Sequence, residues 1–136
     1  MRKRLLFEED PNKIGLYARC HKIYFKDIPI IGDLYFYKNG LDYDGEPLIY
    51  ICKDKNNKLY FCQTIGISYI RETLIFYISR LNILKLFLNK ISIRNLYNKS
   101  QNIYYVNSQG GFFITNKEEI KDWLPDSDIY LDYKDV

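Results

Sequence analysis

The chain has 136 residues, the length of one domain with a single core, and its 47% apolar and 27% charged residues are a globular rather than a disordered composition. Three cysteines, an odd number, argue against a disulfide framework, and no run approaches the ~18 apolar residues of a membrane span. Glu8, Glu9 and Asp10 follow the basic start too soon for an apolar signal core, so the sequence reads as cytoplasmic. The net charge of +3 is too small by itself to demand a polyanion.

In chain order, 1–13 is a mixed-charge arm ended by Pro11. Residues 14–18 and 22–28 read as strands, the second placing Tyr24 and Ile28 on one face and Ile23 and Phe25 on the other. Pro29 and Gly32 break it, and a third strand over 33–38 is expected to stop at Asn39–Gly40. The clearest signal is a hairpin, 47–54 and 59–65, around Asn56–Asn57, because asparagine tolerates positive φ. Centred there, Asp54 would oppose Leu59 and Cys52 would oppose Phe61. Both faces of the hairpin are apolar, which predicts a central position covered on both sides.

Residues 73–78 form a further buried strand. Ser79 can N-cap a helix over 80–90, whose Leu81, Leu84, Leu88 and Ile91, widened by Ile83 and Phe87, are expected to face the core, with Asn82, Lys85 and Asn89 opposite. Ser92 can cap a second helix to residue 98, burying Ile93, Leu96 and Tyr97. Strands 103–106 and 112–115 make a hairpin around Gly110–Gly111. Thr115 and Glu118 form a capping-box pattern opening a helix with Ile120 and Trp123, ended by Pro125. A short strand is expected at 129–131. The whole is one domain over 1–136 of α+β class, an antiparallel sheet of about six to seven strands packed against two or three short helices.

Charge is segregated along the chain. Between Glu72 and Glu118 stand Arg80, Lys85, Lys90, Arg94, Lys99 and Lys117 with no acid, whereas 118–136 is acidic. The chemistry-bearing residues are sparse. His21 is the single histidine, and neighbouring Cys20 would point to the opposite face of a strand. Cys52 and Cys62 read as buried thiols. Asp42, Asp44 and Glu46 around Gly45 resemble half a calcium loop without its distal glutamate and read as a solvated turn. Gly110–Gly111 does not feed a helix, so it is a hairpin turn rather than a phosphate cradle. No catalytic, metal-binding or cofactor-binding residue is assigned, and no cofactor is expected.

The run YDGEPLIYICKDKNNKLYFC (43–62), followed by SRLNILKLFLNKISIRNLY (79–97) and LPDSDIYL (124–131), resembles a widespread bacterial domain of unknown function over roughly 34–131. It departs from that pattern at Glu46, an insertion before Pro47, and at Lys90, where glycine is commoner. The resemblance implies no activity. The sequence therefore points first to a non-enzymatic protein-binding module. Its extension is a small inhibitor or immunity-type protein acting on a larger bacterial effector, such as a nuclease or a CRISPR defence complex. The alternatives are a nucleic-acid binder using the basic 80–99 face and an enzyme with an unrecognised site. The basic candidate surface is Arg80, Lys85, Arg94 and Lys99 with Tyr97; the acidic one is Asp126, Asp128 and Asp132 in the tail over 126–136.

Overall fold

The computed structural model describes residues 23–43, 45–66 and 70–131. Seven strands, β1 (Ile23–Ile28), β2 (Gly32–Tyr43), β3 (Glu46–Lys53), β4 (Leu59–Gly66), β5 (Glu72–Tyr77), β6 (Ile103–Asn107) and β7 (Phe112–Thr115), form one antiparallel sheet in sequence order. The sheet curls into a half-barrel. Two helices, α1 (Arg80–Phe87) and α2 (Ile93–Lys99), intervene between β5 and β6, and a 3-10 turn follows at Lys121–Trp123. The α+β expectation holds, with the sheet dominant. The expected strand at 14–18 and the arm over 1–13 lie outside the described residues.

Alternation along the central strands feeds two cores. Ile49, Ile51, Leu59, Phe61, Leu74 and Phe76 point to the face covered by Leu86 of α1, by Ile93, Leu96 and Tyr97 of α2, and by Ile120, Leu124 and Leu131 beyond β7. Phe61 stacks on Phe76 with centroids 4.7 Å apart, and Tyr97 meets both edge-on. On the other face Leu34, Phe36, Tyr50, Cys52, Tyr60, Cys62, Ile75 and Val106 pack together, with Tyr24 of β1 edge-on to Phe36 and Tyr50. The expected two-sided burial of the β3–β4 hairpin is what its uninterrupted apolar runs require.

The hairpin register differs from the expected one by a residue. Lys53 opposes Leu59, Cys52 opposes Tyr60 and Ile51 opposes Phe61. The cause is Asp54, whose side chain leaves the ladder to accept hydrogen bonds from the Asn56 and Lys58 amides at 2.8 and 2.9 Å, while Asn57 takes φ 66°. The loop thus begins at Asp54, and the shift places Cys52 and Cys62 diagonally on one face rather than on opposite faces. Strand β2 runs through Asn39–Gly40 instead of stopping there. Gly40 lies where a Cβ would come within 2.9 Å of the Ile49 carbonyl oxygen, so glycine serves a close strand approach beside a register shift, not a turn.

Both serine caps form: Ser79 Oγ accepts from the Asn82 amide and Ser92 Oγ from the Asn95 amide, each at 3.2 Å. Helix α1 is shorter than expected. Asn89 takes φ 58°, its amide donates to Leu86 and the Lys90 amide to Lys85, a Schellman closure that ends the helix before Ile91. After β7 the cap is Asn116, whose Oδ1 accepts from the Glu118 and Glu119 amides, rather than Thr115. Only the 3-10 turn follows, with Ile120 buried and Trp123 exposed. Residues 129–131 form no strand; the Ile129 carbonyl accepts from the Ile93 amide, and Leu131 is buried.

Candidate functional site

The basic face expected over 80–99 is divided by the fold. Arg80 and Lys99 are exposed and Lys85 half-buried. Arg94 is turned inward: its Nε donates to the Pro125 carbonyl at 2.7 Å, and Nη2 donates to the Lys121 and Leu124 carbonyls at 3.2 and 3.3 Å. It ties α2 to the segment after β7, where carbonyl oxygens need donors. Tyr97 drops out of the candidate surface and takes the buried place that its spacing with Ile93 and Leu96 implies. It is 0% exposed in the helix-covered core and donates its hydroxyl to Gln63 Oε1 at 2.6 Å, so no partner reaches it. Asp126 and Asp128 are exposed, and Asp132 lies outside the described residues, as do Cys20, His21 and Asp44.

The larger correction concerns α1. Leu81, Leu84 and Leu88, expected in the core, are 60%, 56% and 56% exposed, and Leu86 is the residue buried. Strand β5 delivers Ile78 into the core, and the Ser79 cap starts the helix at the next residue, so the phase of α1 is fixed at its first turn. At about 100° per residue, Leu81, Leu84 and Leu88 then fall on one outward stripe. Arg80 lies along its border beside Leu84, and Lys85 along the other border beside Leu81. Ile91, which completes the sequence pattern, follows the Asn89 stop and is buried outside the helix. Three outward leucines at i, i+3 and i+7 have the spacing by which an amphipathic helix meets a partner groove or helix.

Elsewhere the titratable groups are held by internal contacts. Arg71 pairs with Glu46 and donates Nη1 to the Tyr24 hydroxyl at 3.3 Å. Burial raises the Glu46 carboxyl and outweighs the lowering by Arg71. Glu72 accepts a short hydrogen bond from the Tyr105 hydroxyl, and Asn107 Nδ2 donates to that oxygen. Burial, then a hydrogen bond with Cys62, pushes the Cys52 thiol well up, which disfavours the thiolate a nucleophile needs. Among the described residues no group of three His, Cys, Asp or Glu side chains is placed to hold a metal ion. No described helix is long and apolar enough to cross a membrane.

No family model, no curated protein and no solved structure matches the chain. The outward stripe of α1 was misassigned because its periodicity is the same whichever way the helix rolls. The signal that separates the two cases is Asn89, a residue suited to a left-handed C-cap, which removes Ile91 from the stripe.

Proposed function

We propose that the chain is a protein-binding module that docks through the leucine stripe of α1. The observation that carries this reading is the exposure of Leu81, Leu84 and Leu88, at 60%, 56% and 56%, on a helix bordered by Arg80 and Lys85. Covering these side chains with a partner removes apolar area from water, which favours association. With no acid from residue 73 to residue 117, the surface around the stripe selects a partner with an apolar groove or helix rimmed by Asp and Glu. A partner surface covered in this way is blocked by occlusion. The chain then serves as an inhibitor or immunity-type protein that covers part of a larger bacterial effector, such as a nuclease or a CRISPR defence complex.

The test is comparative affinity capture from a bacterial lysate with the wild-type chain, Leu84→Asp and the Arg80→Glu/Lys85→Glu pair. Circular dichroism first establishes that each variant keeps the wild-type fold. The reading expects one stoichiometric protein retained by the wild type and lost by both variants. Retention of the same protein by Leu84→Asp, or no stoichiometric protein on the wild type, overturns it.

A further inference from the structure

A second surface lies where β5 ends at Tyr77 and leads into α1, and it is argued from side chains other than those of the leucine stripe. The β5–β6 ladder ends at the pair Ile75 and Tyr104, so Tyr77 extends beyond the last paired residue of β6. The space beside it is walled by the α2–β6 connection on one side and by the turn end of the β3–β4 hairpin on the other. A cleft of about 440 Å³ results, lined chiefly by Lys58, Tyr60, Tyr77, Lys99, Asn102 and Tyr104. That volume falls in the roughly 300–1,000 Å³ range of small-molecule sites.

The lining is built from two kinds of group. The first is cationic. Lys58 Nζ sits 4.8 Å from the Tyr77 ring centroid and 6.0 Å from that of Tyr60, and the exposed Lys99 approaches from the other wall. None of the lining residues is acidic. The closest acid in sequence, Asp54, has its Oδ1 occupied by the Asn56 and Lys58 amides. The second is aromatic. Tyr60 and Tyr77 meet edge to face with centroids 6.4 Å apart, and Tyr77 remains 53% exposed. Tyr104 is held in place by stacking on Phe112. Burial, and after it Asp54, pushes the Tyr60 hydroxyl up to about 12, so it stays protonated and uncharged at neutral pH.

Lysines on two walls, the exposed Tyr77 ring between them and a carboxamide beside it are complementary to a phosphate joined to a flat heterocycle. A purely anionic protein surface would use the lysines but would have no use for the ring. We infer that this cleft binds a nucleotide unit, its phosphate between Lys58 and Lys99 and its base against Tyr77, with Asn102 at the base edge. The unit comes either from a free mononucleotide or from a single strand of RNA or DNA. Ring stacking is sequence-tolerant because every base has a π-face, and the two lysines supply the salt-dependent part.

The experiment is fluorescence anisotropy with end-labelled oligo(U) and oligo(dT), alongside calorimetric titration with UMP, AMP and inorganic phosphate, at low salt. Wild-type binding of either strand is expected, with log K falling against log salt with a slope near −1.4, about −0.7 for each lysine–phosphate contact. Tyr77→Ala should weaken binding roughly tenfold, whereas Tyr77→Phe retains it. Lys58→Gln/Lys99→Gln should abolish most of the salt dependence. These side chains are exposed, and an unchanged dichroism spectrum in each variant excludes misfolding. Leu84→Asp should bind the strand as the wild type does, which separates this inference from the docking surface of α1. Binding of UMP or AMP as well as a strand assigns a free-nucleotide site; binding of the strand alone assigns a single-strand site. The inference is overturned by no binding of strand or mononucleotide at low salt. It is equally overturned by affinity unchanged in Tyr77→Ala and in the lysine pair, or by inorganic phosphate binding as tightly as UMP.

Discussion

Arg94 shows how one side chain can be read correctly as cationic and wrongly as available. Its three donations to the carbonyls of Lys121, Leu124 and Pro125 replace the caps that a short 3-10 turn lacks. Hydrogen bonds from a charged donor contribute about 1.5–3 kcal/mol each, and removal takes the side-chain donor from the part-buried Leu124 and Pro125 carbonyls, while the Lys121 carbonyl keeps the Leu124 amide. Arg94→Ala should therefore destabilise the fold by about 2 kcal/mol, seen as a lower urea midpoint at unchanged slope. Arg94→Lys should recover only part of the loss, because a single ammonium cannot span three carbonyls. Tyr97 is the companion case. Its burial is legible in the spacing Ile93, Leu96, Tyr97, which sets all three on the covered face of α2. The tyrosine composition obscured this, since fourteen such residues invite a surface reading for some of them without saying which.

At the scale of the elements, most boundaries were legible because they rest on local chemistry. The serine caps at Ser79 and Ser92, the Asn57 turn and the Gly110 turn act within a few residues of where they stand in the chain. What failed was phase. Register in the β3–β4 hairpin turned on whether Asp54 closes the ladder or opens the loop, a choice made by one side chain and two amides. The roll of α1 turned on how the preceding strand enters the helix, which periodicity does not encode. That roll is directly testable. Leu86→Ala should cost about 2–5 kcal/mol as a core truncation, while Leu84→Ala and Leu88→Ala should each stay within about 0.5 kcal/mol. Equal losses at Leu84 and Leu86 in chemical denaturation would return the stripe to the core. The cleft beside Tyr77 was beyond sequence reading for another reason. Lys58, Tyr77 and Lys99 come from three separated segments and meet only because β6 begins too late to pair with the end of β5.

For the whole molecule, the two aromatic cores set the response to base. Burial raises the hydroxyls of Tyr24, Tyr50 and Tyr97 above the ordinary tyrosine value of 10.0, and that of Tyr60 to about 12. Below pH 10 folded and unfolded chains both hold these protons, and the contribution to stability is complete. Above it the unfolded chain releases them while the folded chain keeps them, so stability falls as pH rises. For the fully buried Tyr50 and Tyr97 the slope is about 1.4 kcal/mol per pH unit each. A cooperative alkaline transition is expected above pH 10, with loss of far-ultraviolet dichroism and a jump in tyrosinate absorbance at the same pH. Gradual ionisation of all tyrosines with the dichroism intact would contradict the described packing.

The unbroken succession of the seven strands also governs how such a chain can be assembled. Each strand finds its partner beside it along the polypeptide, so six pairings need no threading and five close over connections of at most five residues. The exception is β5 with β6, which must be brought together across the helical excursion of residues 78–102. The slow step of folding is thereby confined to one seam. The cleft beside Tyr77 sits on that seam, so it is completed only when the two halves of the sheet have closed.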